Sequence, residues 1–179
     1  MPERRTPLIA GNWKMHKGPR EAGDFCDAFG AGLASGPTPS VDLLLFPSAV
    51  ALASVSGHPL AETVAVGAQT IHPEPSGAFT GELSAEMAID AGATWCLAGH
   101  SERRHVFGES DADVAARVDA CLRAGLRPMV CVGETLAERR EGRLEAVLRR
   151  QIEAVLPRLA ETAGDGWAIA YEPVWAIGT

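Results

Sequence analysis

The last twelve residues of the chain are Ala168-Ile169-Ala170-Tyr171-Glu172-Pro173-Val174-Trp175-Ala176-Ile177-Gly178-Thr179. The first four are apolar enough for a β-strand, which stops at the carboxylate of Glu172. Pro173 prevents a simple continuation of this strand, and a segment of small residues with one tryptophan follows. Glu172 is therefore predicted to lie at the carboxyl end of a strand, where α/β proteins with parallel sheets build their binding sites.

Five further stretches have strand character, and turn residues and a helical pattern follow them. With the last strand they recur at a mean spacing of about 32 residues, and eight such units would need about 250, the size of a (β/α)8 barrel. This chain would supply about six of the eight. An open doubly wound sheet is the alternative, because six strands in 179 residues satisfy it without anything missing. No linker interrupts the units, so residues 1–179 are predicted to form a single domain.

Three of the predicted helices have recognisable boundaries. One is predicted over 19–35. Another begins near Asp111, carries apolar residues at spacings of four, seven and eight, and ends at Gly125. A long amphipathic helix begins near Leu144, and Pro157 should kink or end its main body.

The composition excludes several functional classes. The 46% of hydrophobic residues is enough to build a sizeable core. The net charge of -7 and the lack of any run of Lys or Arg argue against nucleic acid or an anionic membrane as the main partner. No stretch is long and apolar enough to span a membrane. The four cysteines lack paired spacing, which predicts reduced, buried thiols and a cytoplasmic location. The sequence shows neither metal-ligand spacing nor a glycine-rich nucleotide loop.

Three charged or titratable residues follow predicted strands: Lys14, His100 and Glu172. They would converge in a closed barrel, whereas in an open sheet each intervening strand separates them by about 4.8 Å. For each residue taken singly, a structural role is more common than a functional one. Lys14 would be a solvated lysine, His100 a histidine that caps a turn, and Glu172 an ion-paired or helix-capping carboxylate. The strand-end pattern alone leaves these alternatives open.

Five motifs, in chain order, favour one known family. They are Asn12-Trp13-Lys14-Met15, Gly77-Ala78-Phe79-Thr80-Gly81-Glu82, Gly99-His100-Ser101-Glu102-Arg103-Arg104, Cys131-Val132-Gly133-Glu134 and the segment from Tyr171 to Thr179. Together they resemble the triosephosphate isomerase family from about Leu8 to the end of the chain. The resemblance implies a TIM barrel that interconverts dihydroxyacetone phosphate and D-glyceraldehyde 3-phosphate through an enediolate, in glycolysis and gluconeogenesis, without cofactor or metal.

The resemblance also implies a role for each site residue. Glu172 would be the base that moves the proton, and His100 a neutral electrophile on the substrate oxygens, because an enediolate needs donors placed where charge develops. A helix is predicted directly after His100, and its dipole favours the neutral imidazole, for which triosephosphate isomerase is the established example. Lys14 would hold the substrate's negative charge and Asn12 would orient a substrate oxygen. The amide of Gly178, in the mobile lid, would bind the phosphate.

Supporting residues follow in the same way. Glu102 would pair with Lys14 in the free enzyme, and Ser101 is expected to cap a helix at least as readily as it contacts substrate. Thr80 lies in a loop that inserts into a partner subunit in the family, which implies a homodimer. Cys131 is expected to be structural. Arg103 and Arg104 are expected to be solvated or ion-paired rather than phosphate-binding.

The chain departs from the family pattern in three places. His16 stands where many members carry Asn, and Phe79 replaces a more usual Tyr. After Thr179 the family continues through the end of the lid and strands seven and eight, so the resemblance implies that the C-terminal quarter is missing. An inactive fragment is the alternative reading if the molecule ends there, because open sheet edges would destabilise it.

Overall fold

The computed structural model describes residues 6–36, 40–162, 164 and 166–177. Six strands occur in this part of the chain, and they are hydrogen-bonded in chain order. The strands are β1 Leu8–Asn12, β2 Asp42–Phe46, β3 Val64–Ala68, β4 Trp95–Ala98, β5 Arg127–Val132 and β6 Ala168–Tyr171.

Helices separate the strands. They are α1 Pro19–Ser35, α2 Leu52–Ser56, α3 Ala85–Asp90, α4 Ser101–His105, α5 Asp111–Ala124, α6 Leu136–Arg140, α7 Leu144–Glu153 and α8 Leu156–Leu159. Short 3₁₀ turns occupy Ala49–Ala51, Pro59–Glu62 and Val174–Ala176. The alternation of strand and helix is the one predicted from the sequence.

The described residues fall into two compact units. The N-terminal unit lies within Met1–Gln69 and Glu86–Cys96, and the C-terminal unit lies within Thr70–Ala85 and Leu97–Thr179. The boundary passes through β4. That residues 1–179 form one domain stays a prediction.

The N-terminal unit is built on parallel pairing of β1, β2 and β3, which places Ile9 beside Leu43 and Leu44 beside Ala65. The residues of β2 are apolar almost throughout, as expected for a strand covered on both faces. At Gly67 a β-carbon would run into the ring of Phe46, so only glycine allows this close approach between neighbouring strands.

The C-terminal unit has a core of small and branched apolar side chains from the end of β4, from β5, from α5, and from α8 with the residue before it. Its buried members are Ala98, Val114, Ala115, Val118, Val130, Val132, Val155 and Leu159. Helix α5 begins where a reciprocal cap between Ser110 and Asp113 satisfies the first amides, and it ends at Gly125, whose φ of +89° is left-handed. The predicted bounds of this helix are confirmed.

The predicted break near Pro157 is found, and one short helix was missed. The helix from Leu144 ends at Glu153, and Pro157 stands in the first turn of a separate helix, α8. A proline is tolerated there because the first amides of a helix have no intrahelical partner. Helix α6 was not predicted, since five residues are too few to show a helical period.

The core of the C-terminal unit yields a matched test within α8. Leu159 is fully buried, whereas Leu156 is 46% exposed. We expect Leu159→Ala to lower the free energy of unfolding by about 2–5 kcal/mol, because it removes buried methyl groups and leaves a cavity. Leu156→Ala should have a much smaller effect. Urea unfolding of the full-length protein measures both, and equal losses would contradict this placement of the core.

Candidate active site

The turn after β4 places His100. Gly99 has a left-handed φ of +72°, and His100 follows it as the N-cap residue of α4. The His100 Nδ1 atom accepts the backbone N–H of Glu102 at 3.2 Å. Because Nδ1 is an acceptor, the neutral ring carries its proton on Nε2. The expectation that Ser101 caps this helix is wrong, since Ser101 is the first helical residue and the imidazole takes the capping role.

Glu172 lies next to this ring. Its Oε1 atom is 3.6 Å from His100 Nε2, and the carboxylate is 25% exposed. The other oxygen, Oε2, is buried and makes no hydrogen bond of ordinary geometry to any described residue. The two groups predicted to carry the chemistry therefore lie beside one another, just beyond hydrogen-bond distance.

Backbone contacts with the end of β5 fix Glu172. The parallel pairing of β5 and β6 continues past Tyr171, because the Glu172 N–H donates to the Val132 carbonyl at 2.8 Å. Gly133 is so close to the Glu172 carbonyl that a β-carbon there would collide with it. The buried side-chain amide of Gln151 in turn binds both the N–H and the C=O of Gly133, at 2.9 and 3.2 Å. A helix side chain thus supports the backbone on which the carboxylate rests.

Glu134 is a buried carboxylate to which the sequence reasoning assigned no role. It is fully buried and accepts hydrogen bonds from Trp175 Nε1 at 2.9 Å and from the Tyr171 hydroxyl at 3.1 Å. Arg139 lies 3.4 Å away. Although burial by itself raises the pKa of Glu134, the hydrogen bonds outweigh it and hold the pKa below its ordinary value. Glu134 therefore anchors the segment that leaves the site after Glu172.

Cys131 lies beneath the site. Burial above all, and then the neighbouring carboxylate of Glu172, raise the pKa of its thiol. A neutral, buried thiol is a poor nucleophile, which agrees with the expected structural role.

The predicted ion-paired role of Arg103 and Arg104 is confirmed. Arg103 binds Glu109 and Arg104 binds Asp111, each at 2.7 Å. Glu102 places its Oε2 atom 3.6 Å from His100 Nδ1, on the side of the ring away from Glu172.

Asn12 and Lys14 belong to the N-terminal unit, where they contact each other. The Lys14 N–H donates to Asn12 Oδ1 at 2.9 Å, and Lys14 adopts a left-handed φ of +53°, which is rare for a residue with a side chain. Gln69, which the sequence reasoning missed, donates to the Lys14 carbonyl at 2.8 Å. Such backbone strain tends to occur at functional sites, where surrounding contacts hold it in place.

Two predicted residues remain. Thr80 is exposed in a turn whose neighbour Phe79 packs on the ring of His72, with centroids 3.9 Å apart. Gly178 lies outside the described residues. In the described part of the chain there is no cluster of side chains suited to a metal ion, and no helix long and apolar enough to cross a membrane.

Comparison with known proteins identifies the family. The family model for triosephosphate isomerase matches residues 7–179. The triosephosphate isomerase of Symbiobacterium thermophilum is 48% identical over 98% of this chain and 68% of its own length. That of Afipia carboxidovorans is 48% identical over 100% of this chain and 70% of its own length. A crystal structure of triosephosphate isomerase from Bartonella henselae matches with a TM-score of 0.86 and 40% identity, over 96% of this chain and 70% of that one.

These matches decide between the two folds left open by strand counting. The described strands and helices superpose on a TIM barrel, so the predicted fold class is confirmed and the open doubly wound sheet is excluded. The chain spans about 68–70% of the length of the relatives named here. It belongs to the triosephosphate isomerase family, whose members interconvert the triose phosphates.

Proposed function

We propose that Glu172 and His100 divide the isomerisation of dihydroxyacetone phosphate and D-glyceraldehyde 3-phosphate between them. The Glu172 carboxylate removes a proton from the carbon next to the carbonyl, and the electron pair moves onto the carbonyl oxygen to give an enediolate. Glu172 then returns the proton to the neighbouring carbon, while the substrate's hydroxyl proton passes from one oxygen to the other beside the Nε2–H of His100. The observation that carries this proposal is the 3.6 Å approach of Glu172 Oε1 to His100 Nε2, a base and a donor beside one another.

His100 acts as a neutral donor in this proposal. Its Nδ1 atom is occupied by the Glu102 amide, so the ring can donate only through Nε2, the nitrogen that faces Glu172. A donor fixed in this way stabilises the charge that develops on the substrate oxygens without having to reorient during the reaction. The cap of α4 therefore sets both the tautomer and the direction of the ring.

The remaining site residues would bind the substrate. The Lys14 ammonium would balance the negative charge of the phosphate and the enediolate, and Asn12, whose side chain accepts the Lys14 amide, would orient a substrate oxygen. Gly178 would donate its amide to the phosphate. The overall reaction moves one proton between carbons and one between oxygens of the substrate and no net electrons to another molecule, so no redox cofactor is required.

A homodimer and a cytoplasmic location complete the proposal. The turn carrying Thr80 is exposed, and the neighbouring aromatic ring of Phe79 is 43% exposed, which leaves both available to a partner subunit. All four cysteines are free and buried, which suits a reducing compartment.

Glu172→Asp tests the assignment of the base. The variant withdraws the carboxylate by about one methylene, and we expect kcat to fall by about 10²-fold with a small change in KM, since such a displacement of a reacting group has effects of this size. A coupled isomerase assay of the full-length protein in both directions measures this, with Glu145→Asp on the exposed face of α7 as control. Near-normal kcat in Glu172→Asp would remove Glu172 from the role, and a folded wild-type protein inactive on both triose phosphates would refute the function.

Trp175→Phe tests the anchor at Glu134 and its pH dependence. The hydrogen bonds hold the Glu134 pKa below 4.5, so their contribution to stability is present above that pH and is lost as the pH falls through the lower folded-state value. We expect the variant to lose about 1–3 kcal/mol of unfolding free energy at pH 7 and progressively less in acid.

Trp167→Phe is the matched control for this experiment. The indole N–H of Trp167 is buried without a partner among the described residues, so its removal breaks no hydrogen bond. Urea unfolding at neutral and acid pH compares the two variants. A Trp175→Phe deficit that does not change with pH would contradict the role of the Glu134 carboxylate.

Phe79→Asp tests the dimer. A charge on this exposed ring position should displace the full-length protein towards the monomer at micromolar concentration, as measured by sedimentation velocity. Leu136→Asp, at a similarly exposed apolar position on α6, should leave assembly unchanged. A wild-type protein that sediments only as a monomer would refute the proposal.

A further inference from the structure

We infer that Arg104 is a positioning residue for the isomerisation, which holds His100 and the strand end beside Glu172 in their working geometry. The inference rests on the proposed function of those two residues. The Arg104 side chain binds two backbone carbonyls and the carboxylate of Asp111, so it acts through the backbone of its neighbours.

Arg104 binds the backbone on both sides of His100. Its own N–H donates to the His100 carbonyl at 3.1 Å, and its side-chain Nε donates to the Gly99 carbonyl at 2.8 Å. A β-carbon on Gly99 would lie 2.7 Å from Val114 Cγ2 and 2.8 Å from Arg104 Nη2, so these two side chains occupy the space that a side chain at Gly99 would need. The Arg104 side chain thus packs against the left-handed turn that presents His100 and also binds the Gly99 carbonyl group.

The same guanidinium reaches the strand that supports Glu172. Its Nη2 atom lies 3.4 Å from the carbonyl of Cys131, one residue before Val132, which accepts the Glu172 amide. Arg104 also lines a narrow crevice whose wall includes Gly133 and Glu172. One planar group thus connects the backbone that carries the donor with the backbone that carries the base.

A carboxylate fixes the guanidinium in place. Asp111, the first residue of α5, accepts Arg104 Nη1 at 2.7 Å through Oδ1 and Arg150 Nε at 2.8 Å through Oδ2. The Arg104 side chain is only 8% exposed, whereas that of Arg150 is 59% exposed. A buried, charge-assisted contact of this kind is stronger than an exposed one, so the inner link should matter far more than the outer one.

The rigid fork of arginine suits this task and lysine does not replace it. Each of the three guanidinium nitrogens binds a different acceptor, which uses the fixed fork of donors that only arginine provides. A lysine ammonium is a single point on a flexible stem and cannot reach all three. Loss of the fork should leave the fold intact but let the His100 turn and the end of β5 shift relative to each other.

The test compares Arg104→Met, Arg104→Lys, Arg150→Met and Arg149→Met in the full-length protein. Arg149 forms only an exposed pair with Glu145 and serves as control. Per folded molecule, we expect Arg104→Met to lower kcat by about 10²-fold with KM within about twofold of wild type, and Arg104→Lys to lower kcat by about 10-fold or more. Arg150→Met should lower kcat by less than about 5-fold, because its exposed link to Asp111 is weak. Arg149→Met should match wild type.

A spectroscopic signal separates positioning from simple loss of stability. In protein labelled with ¹⁵N-histidine, the His100 Nε2–H resonance, assigned by its absence in His100→Gln, should shift or broaden in Arg104→Met well below the melting temperature. It should stay unchanged in Arg149→Met. If Arg104→Met does not fold, Arg104→Lys decides by the same two readouts.

The outcomes are distinct. A folded Arg104 variant with wild-type kcat, or with a lowered kcat but an unchanged His100 signal, would overturn the inference. An inactive wild-type protein would instead refute the proposed function, and the His100 signal would still report whether Arg104 holds the ring.

Discussion

The candidate site depends on the backbone hydrogen bonds that continue from β5 to β6 beyond the last residues of the strands. The Glu172 amide binds the Val132 carbonyl at 2.8 Å, and the next contact, from the Val174 amide to the Glu134 carbonyl at 3.1 Å, keeps the chain in register past Pro173. Strand pairing therefore fixes Glu172 more firmly than a loop could. Gly133 and Gln151 support this arrangement. A β-carbon at residue 133 would collide with the Glu172 carbonyl, and the Gln151 side chain binds the buried peptide group of Gly133.

The two carboxylates next to this strand pairing, Glu134 and Glu172, have different surroundings, which suit them to different tasks. Glu134 is fully buried, but an indole, a phenol and a guanidinium contact it, so its charge is stabilised where it stands. Glu172 is partly exposed and has one oxygen without a conventional hydrogen bond to the described residues. A satisfied carboxylate stays ionised and anchors structure, whereas an incompletely satisfied one is able to exchange a proton. The sequence shows both only as glutamates that follow strands.

Sequence reasoning succeeded where local rules are strong. It found the bounds of α1, it found α5 from its apolar stripe and the stop at Gly125, and it found the strand-end positions of His100 and Glu172. It failed where a tertiary contact decides. His100 displaced Ser101 as the cap because its ring folds back onto the helix, and the contacts of Arg104 depend on which carbonyls face it in three dimensions. No periodicity or spacing encodes either fact.

The neutral thiol at Cys131 has a consequence for the oxidative chemistry of the protein. Peroxides and electrophiles attack the thiolate rather than the thiol, and the raised pKa keeps this sulfur protonated while burial keeps reagents away. The Glu172 carboxylate adds to the effect of burial, because forming a thiolate would place a second negative charge next to it. A polarizable sulfur atom is thus packed next to Glu172, yet it is protected from oxidation to a sulfenic acid. The added oxygen of a sulfenic acid would have to fit into this buried position.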